Sequence, residues 1–281
     1  MSSSLSPLKI IITTFMREDN QRAIFQIPKA LHENVYVFTR EDRVSHLRPH
    51  VPDTVRIIAN PLDIDGIADI RQRCIDHPEV GKGKVWFIDD LATFGWRNEE
   101  LKQFNGMEEA EWLKMYDMVS EMLDEYMQVG FSARGGNNHV EDNVKEVGRS
   151  YATYGLRTDW MEREGIRFDG MYQQNKNIKL YEDYWITLSM LTKGFKNAVI
   201  YKYFFNYNHN SAGGNSTFRN HELQEQAAYE LRKYFPQFVD IVEKEGAWGK
   251  MGMENRKEVR IQWQKAYQSS QFTNTLESFL A

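Results

Sequence analysis

KVWFIDDLATFGWR, residues 84–97, runs four apolar residues, Val85, Trp86, Phe87 and Ile88, straight into two carboxylates, Asp89 and Asp90. A short continuous apolar run reads as a strand buried on both faces of a sheet. In open α/β sheets, ligands lie outside the carboxyl ends of such strands. Two adjacent carboxylates point in different directions, so one could reach a hard divalent cation and the other a sugar or ribose hydroxyl. The same pair also fits a turn in which an Asp side chain bonds its own backbone. On these residues alone both readings stay open.

Working outward, residues 9–14 (KIIITT) read as a first buried strand, 35–38 as a second and 55–59 as a third. Between them, 16–31 is expected to be helical, capped by Asp19 and ended or kinked by Pro28. Residues 64–74 are expected to form a second helix, with Asp65 as its cap. The stretch 92–96 leaves the sheet as a short extended segment. Helix 108–127 carries Trp112 and several methionines on one apolar face, which reads as core. Residues 129–133 and 198–206 read as further strands, and 168–172 as a short extended piece. Helix 183–193 is closed by Gly194, and helix 221–234 follows. Residues 257–263 alternate as a strand would. The β-α-β rhythm defines an α/β protein with a mostly parallel central sheet flanked by helices. A helical, loop-rich extension follows at the C-terminus.

With 281 residues, 41% hydrophobic and 27% charged, the chain has enough apolar material for a sizeable core. The net charge of -5 argues against a general nucleic-acid binder while leaving room for a local basic face. One cysteine, Cys74, excludes an intramolecular disulfide framework and a cysteine zinc cluster, and fits a reducing compartment. The N-terminal apolar run is too short for a signal sequence or a membrane span, so the expected location is the cytoplasm. Oligomeric state is not legible.

Four further features could carry chemistry. Glu182 and Asp183 open helix 183–193, where carboxylates favour the dipole; one could alternatively serve as a general base. His209 lies in the polar loop NYNHNSAGGNS, residues 206–216. It could sit on the surface or complete a metal site with Asp90. Arg71 and Arg73 are two apart on a helix and so do not share a face; one fits a diphosphate, the other solvent. Gly135-Gly136 and Gly213-Gly214 could offer backbone N–H groups to phosphate. Neither pair stands in a GxGxxG or GxxxxGK pattern, so no dinucleotide or P-loop site is assigned.

In order along the chain, Thr13-Thr14 ends the first strand, GIADIRQRC (66–74) precedes the strand ending FIDD, and LYEDYWITLSMLTKG (180–194) precedes a strand and His209. This order resembles nucleotide-sugar glycosyltransferases of the GT-A (Rossmann-like) fold. FIDD resembles their acidic metal site, and LYEDYW resembles the segment carrying the base of inverting members. Within that fold the chain is similar to phage enzymes that glycosylate hydroxymethylated pyrimidines in DNA. These include the TET/JBP-associated glycosyltransferases and the hydroxymethylcytosine arabinosyltransferases. The resemblance covers roughly residues 8 to 215.

The resemblance implies a catalytic domain over 1–215, with the donor site mainly in 8–97 and the acceptor and catalytic part at about 129–215. Residues 216–281 would pack on it as an extension. A nucleoside-diphosphate sugar is implied as donor, a UDP-sugar such as UDP-arabinose or UDP-glucose. Thr13, Thr14, Arg71, Arg73 and Asp89 are the implied donor contacts. Asp90 and His209 are the implied ligands of Mg²⁺ or Mn²⁺. Asp183, or Glu182 in its place, is the implied base. The implied acceptor is 5-hydroxymethylcytosine in double-stranded DNA, with Arg134, Arg149, Arg157, Lys176 and Lys179 as candidate DNA contacts. The chain departs from the fuller acidic pattern at Leu91, where a further carboxylate would be expected. A glycan acceptor is the main rival; a nucleotidyltransferase would show a glycine-rich loop after the first strand, where TTFMREDN stands instead. A membrane-bound acceptor would call for a basic amphipathic helix, and none is evident. A non-enzymatic module would leave Asp90, Asp183 and His209 without a common focus.

Overall fold

The computed structural model describes residues 7–63, 66–98, 104–136, 141–206, 213–217, 219–245 and 255–280. Along the chain run β1 (Lys9–Thr13), β2 (Val35–Arg40), α1 (Val44–Leu47), β3 (Arg56–Asn60), α2 (Ile67–Asp76), β4 (Lys84–Asp89), β5 (Thr93–Arg97) and β6 (Phe104–Gly106). Next come α3 (Glu109–Met122), β7 (Gln128–Ala133), β8 (Val144–Glu146), β9 (Thr153–Arg157), α4 (Thr158–Arg163), α5 (Gly170–Gln174) and α6 (Glu182–Thr192). The chain continues through β10 (Asn197–Asn206), α7 (His221–Tyr234), β11 (Val239–Glu245), β12 (Asn255–Ile261) and α8 (Trp263–Leu280).

Among the described residues ten strands form one sheet in the order β3-β2-β1-β4-β9-β7-β10-β5-β6, with β8 also on β10. The first four strands are all parallel. Their side chains alternate between two buried layers, as period-two geometry requires. Ile10, Ile12, Trp86 and Ile88 face one layer with Trp112 and Met115 of α3. Ile11, Val85 and Phe87 face the other with Cys74 of α2 and Ile186 of α6. Trp86 anchors the first layer, stacked on Phe131 at 5.3 Å between ring centres. A third apolar cluster joins Leu188 and Leu191 of α6 to α7, to Val239 and Val259 of the β11-β12 hairpin, and to Ala266 of α8. No helix among the described residues is long and apolar enough to cross a membrane.

The strand order creates the site. The chain moves outward from β1 to β2 to β3, then returns to place β4 on the other side of β1. Connections diverge at that point, which leaves a crevice at the carboxyl ends of β1 and β4. Thr13 pairs with Asp89 across it.

Four expectations are corrected. Residues 16–31 form turns and short 3-10 segments, at Ile24–Gln26 and from Lys29 onward, rather than an α-helix. The N–H groups of Arg22 and Ala23 donate instead to the carbonyl of Asp90, both at 2.9 Å. A tertiary partner thus takes the bonds a helix would have used. Residues 168–172 are not extended; Phe168 is buried and α5 begins two residues later. The stretch 92–96 does not leave the sheet but joins it as β5, paired with β10. β9, an antiparallel strand in the middle of the sheet, stands where no strand was expected. Asp65 lies outside the described residues, and Gly66 opens α2 at φ 97°, a conformation that glycine adopts without steric cost.

Candidate active site

A cleft of about 690 Å³ lies over the switch point. Thr13, Thr14, Arg71, Asp89, Asp90, Glu182 and Asp183 all line it. Sequence positions more than ninety apart therefore converge, because β1, α2, β4 and α6 all present one end to the same crevice. Arg73 does not join them. It sits on the outer face of α2, 45% exposed, with its guanidinium 3.8 Å from Asp63 and Asp69. His209 lies outside the described residues, and the described residues hold no group of three or more His, Cys, Asp or Glu side chains placed to bind a metal.

Arg71 is the hub. Its Nη1 donates to the Tyr154 hydroxyl and to Glu182 Oε1, each at 2.7 Å. Its Nη2 donates to Asp89 Oδ1 at 3.3 Å. The guanidinium also lies over the rings of Phe87 and Tyr154. Burial works against its charge, but Tyr154, Glu182 and Asp89 more than offset that, and its pKa rises above the ordinary arginine value. Arg71 thus ties the end of β4 to the start of α6.

The two aspartates of β4 have different surroundings. Asp90 is 3% exposed. Its Oδ2 accepts from Thr14 Oγ1 at 2.9 Å and its Oδ1 from Arg17 Nη1 at 3.3 Å. Thr14 in turn accepts from Gln21 Nε2 at 2.8 Å. Burial pushes the Asp90 carboxyl up to about 6 against the pull of Arg17. Asp89, 24% exposed, faces the cleft with only Arg71 as an ionic partner among the described residues. Its carboxyl is also raised by burial, with Arg71 and Arg17 opposing. Leu91, at the position of the missing carboxylate, is buried.

At α6, Glu182 is buried and locked on Arg71, while Asp183 is partly exposed and, among the described residues, accepts only from the N–H of Tyr184, at 2.9 Å. Burial lifts the Glu182 carboxyl above the ordinary range, opposed by Arg71. Immediately before them Tyr181 adopts φ 70°. That left-handed conformation is costly for a bulky residue and marks functional sites. Met16 (φ 56°) and Ala152 (φ 59°) share it, one beside the cleft-lining Phe15 and Arg17, the other in the cleft wall.

Several lining residues carried no signal for this role in the sequence. Arg17 was one of many surface-type charges until the fold placed it on Asp90. Lys244, Arg256, Glu258 and Trp263 come from the hairpin and α8, far from any recognised motif. Arg149, a candidate only for DNA, lines the cleft as well. Arg157 is instead taken up by Asp159 at 2.7 Å, and Lys176 by Gln173 and the ring of Tyr172. The Gly214 N–H, a candidate phosphate donor, is spent on the carbonyl of Phe15 at 2.8 Å.

A mixed sheet, parallel through its first four strands, with carboxylates at its switch point and flanking helices, defines a GT-A-like fold of the nucleotide-sugar glycosyltransferase class. The chain belongs to the TET-associated glycosyltransferase family, whose sequence model matches residues 8–215. No curated protein sequence matches it. Among solved structures it is similar to S. aureus TarS 1-349, at 12% identity and TM-score 0.46 over 80% of this chain; it spans 65% of that chain. It is also similar to mannose-1-phosphate geranyltransferase from Thermus thermophilus, at 11% identity and TM-score 0.43 over 70% of this chain and 75% of that one. A third likeness is to the glycosyltransferase GlyE of Streptococcus pneumoniae, at 12% identity and TM-score 0.39 over 65% of this chain and 43% of that one.

Proposed function

We propose that the chain transfers a sugar from a nucleoside-diphosphate sugar, a UDP-sugar such as UDP-arabinose or UDP-glucose, to the hydroxyl of 5-hydroxymethylcytosine in DNA. One observation carries the reading: the carboxylates ending β4 and those opening α6 meet in a single cleft at the switch point. Family membership supports the transfer chemistry and the DNA acceptor.

In this reading Thr13 and Thr14 flank the nucleotide. Arg71 is committed to two carboxylates, so its role is to hold Asp89 and Glu182 in place rather than to grip the diphosphate. Asp183, at the cleft surface, accepts the proton of the attacking hydroxyl as the sugar leaves the diphosphate. Glu182, buried against Arg71, positions the start of α6.

The donor set fits a hard cation such as Mg²⁺ or Mn²⁺, since one or two carboxylates plus substrate phosphates suffice for one. Asp89 is open to the cleft and would be the first ligand. Asp90 would be the second once Arg17 turns from it to the diphosphate. A bound cation would neutralise charge developing on the leaving diphosphate.

A donor screen tests the reading. UDP-sugars are incubated with Mg²⁺ or Mn²⁺, with and without hydroxymethylated DNA, and released nucleoside diphosphate is measured. Release stimulated by that DNA is expected. No turnover with any donor defeats the transferase reading, and turnover only with a glycan acceptor defeats its DNA half.

A further inference from the structure

The family match ends at residue 215, yet the cleft continues beyond it onto the hairpin and α8. In that far half, Tyr184 and Trp263 stack almost parallel, 5.6 Å between ring centres and 11° between planes. Both line the cleft, and Tyr184 directly follows Asp183 in the chain. Beside them stands Arg149. Its guanidinium lies 4.0 Å from the ring centre of Tyr151 and 5.0 Å from that of Tyr184. It makes no direct hydrogen bond or salt bridge among the described residues; Asp183 and Glu258 act on its charge only at longer range. Arg71 and Arg17, by contrast, face carboxylates.

A cation fixed on ring faces keeps its N–H groups for an incoming anion, and its orientation is set before that anion arrives. A flat aromatic surface accepts the face of any base, and with Tyr184 carrying both Trp263 and Arg149, the ring surface left for a base is that of Trp263. An enzyme acting on a base in a duplex must extrude the nucleotide, which exposes both a ring and its flanking phosphates. We infer that Arg149, Tyr184 and Trp263 form the acceptor subsite, with an extruded pyrimidine nucleotide held against the aromatic wall and its phosphate on Arg149. This assignment rests on the transferase reading above. It puts the acceptor's hydroxymethyl group on the side of the cleft where Asp183 stands. A neutral sugar acceptor would use the ring wall but bring no anion for the Arg149 N–H groups to bond.

The test is binding rather than turnover, so it stands apart from the donor screen. A fluorescent single-stranded oligonucleotide carrying 5-hydroxymethylcytosine is titrated against wild type, Arg149→Gln and Trp263→Phe by anisotropy, and UDP with Mn²⁺ is titrated in parallel. Arg149→Gln is expected to weaken oligonucleotide binding on the order of tenfold and to lower its salt dependence. Trp263→Phe, which keeps an aromatic ring and the fold, is expected to weaken it severalfold. UDP affinity is expected to stay within twofold, about the scatter of such titrations, in both. Oligonucleotide binding unchanged in both variants overturns the assignment. So does a loss of UDP affinity in Arg149→Gln with oligonucleotide binding intact, which would make Arg149 a donor-diphosphate residue. Wild type that releases nucleoside diphosphate but does not bind the oligonucleotide also overturns it, while leaving the transferase reading standing.

Discussion

The two halves of the cleft hold their charges by different means. At the ends of β1 and β4 the charges are locked to one another: Arg71 between Asp89 and Glu182, Arg17 on Asp90. On the far side Arg149 rests on two tyrosine rings, with no salt bridge among the described residues and the carboxylates of Asp183 and Glu258 acting on it only at longer range. The first arrangement builds a rigid frame in low dielectric, where the loss of one member leaves another charge stranded. The second leaves guanidinium N–H groups that a ligand can bond directly. Under the proposed reading, the donor side is the locked half of the cleft and the acceptor side the half left open to substrate.

The comparison can be broken most sharply at Asp183, which borders both halves. Asp183→Asn is expected to cut sugar transfer roughly 10²- to 10⁴-fold, the usual loss of a general base. UDP affinity, measured by calorimetry, should not change, and equal loss of both would remove the base role. Next in size is the frame itself. Arg71→Met should destabilise the protein by about 3–5 kcal/mol in chemical denaturation, because the buried Glu182 loses its counter-charge and Asp89 loses its ionic partner. A cost under about 1 kcal/mol would mean that the network does not hold the two elements together.

A third effect is a pH dependence. Burial raises the folded-state pKa of Glu182 above its unfolded value. The folded protein therefore holds that proton more tightly, so this contribution is fully present below the unfolded value near 4.5 and is lost as pH rises through the folded one. Melting temperatures followed from pH 4.5 upward should fall less steeply in Glu182→Gln than in wild type. Identical slopes would show that Glu182 titrates no differently in the fold. The smallest effect belongs to Arg73, which shares a helix with Arg71 but faces outward. Arg73→Ala should change stability by less than about 0.5 kcal/mol and leave UDP binding unaltered. Weaker UDP binding would place it in the donor site after all.

The contrast between Arg71 and Arg73 also shows what sequence could reveal. Spacing separates their faces, since residues two apart on a helix diverge, but only packing against Phe87 and Tyr154 decides which one turns inward. Strands β1, β2 and β4 were legible because each is a run of β-branched or aromatic residues buried on both sides, and the edge strand β3 from its Ile57-Ile58 pair. Helix α7 was legible as the helix over 221–234, and the structure adds its cap, Asn220, which accepts from the Leu223 N–H at 2.9 Å. Residues 16–31 were not, because their backbone partner is the carbonyl of Asp90, about seventy residues away. Strand β9 was obscured by Gly155, which sits where the side chains of Val119 and Leu123 press on the sheet; an added Cβ would meet both at 3.0 Å. The carboxylates of the site were legible as pairs, but their division was not. Nothing local says that Asp90 turns under Arg17 and Thr14 while Asp89 faces the cleft. The far wall was illegible for a similar reason: Trp263 acquires its meaning only when the hairpin carries it against Tyr184.

The most direct measurement is the intact mass of a hydroxymethylcytosine oligonucleotide after incubation with the protein, a UDP-sugar and Mn²⁺. The account predicts a gain of one sugar per hydroxymethylcytosine, absent with unmodified cytosine and abolished in Asp183→Asn. An oligonucleotide of unchanged mass, under conditions where nucleoside diphosphate is released, would contradict it.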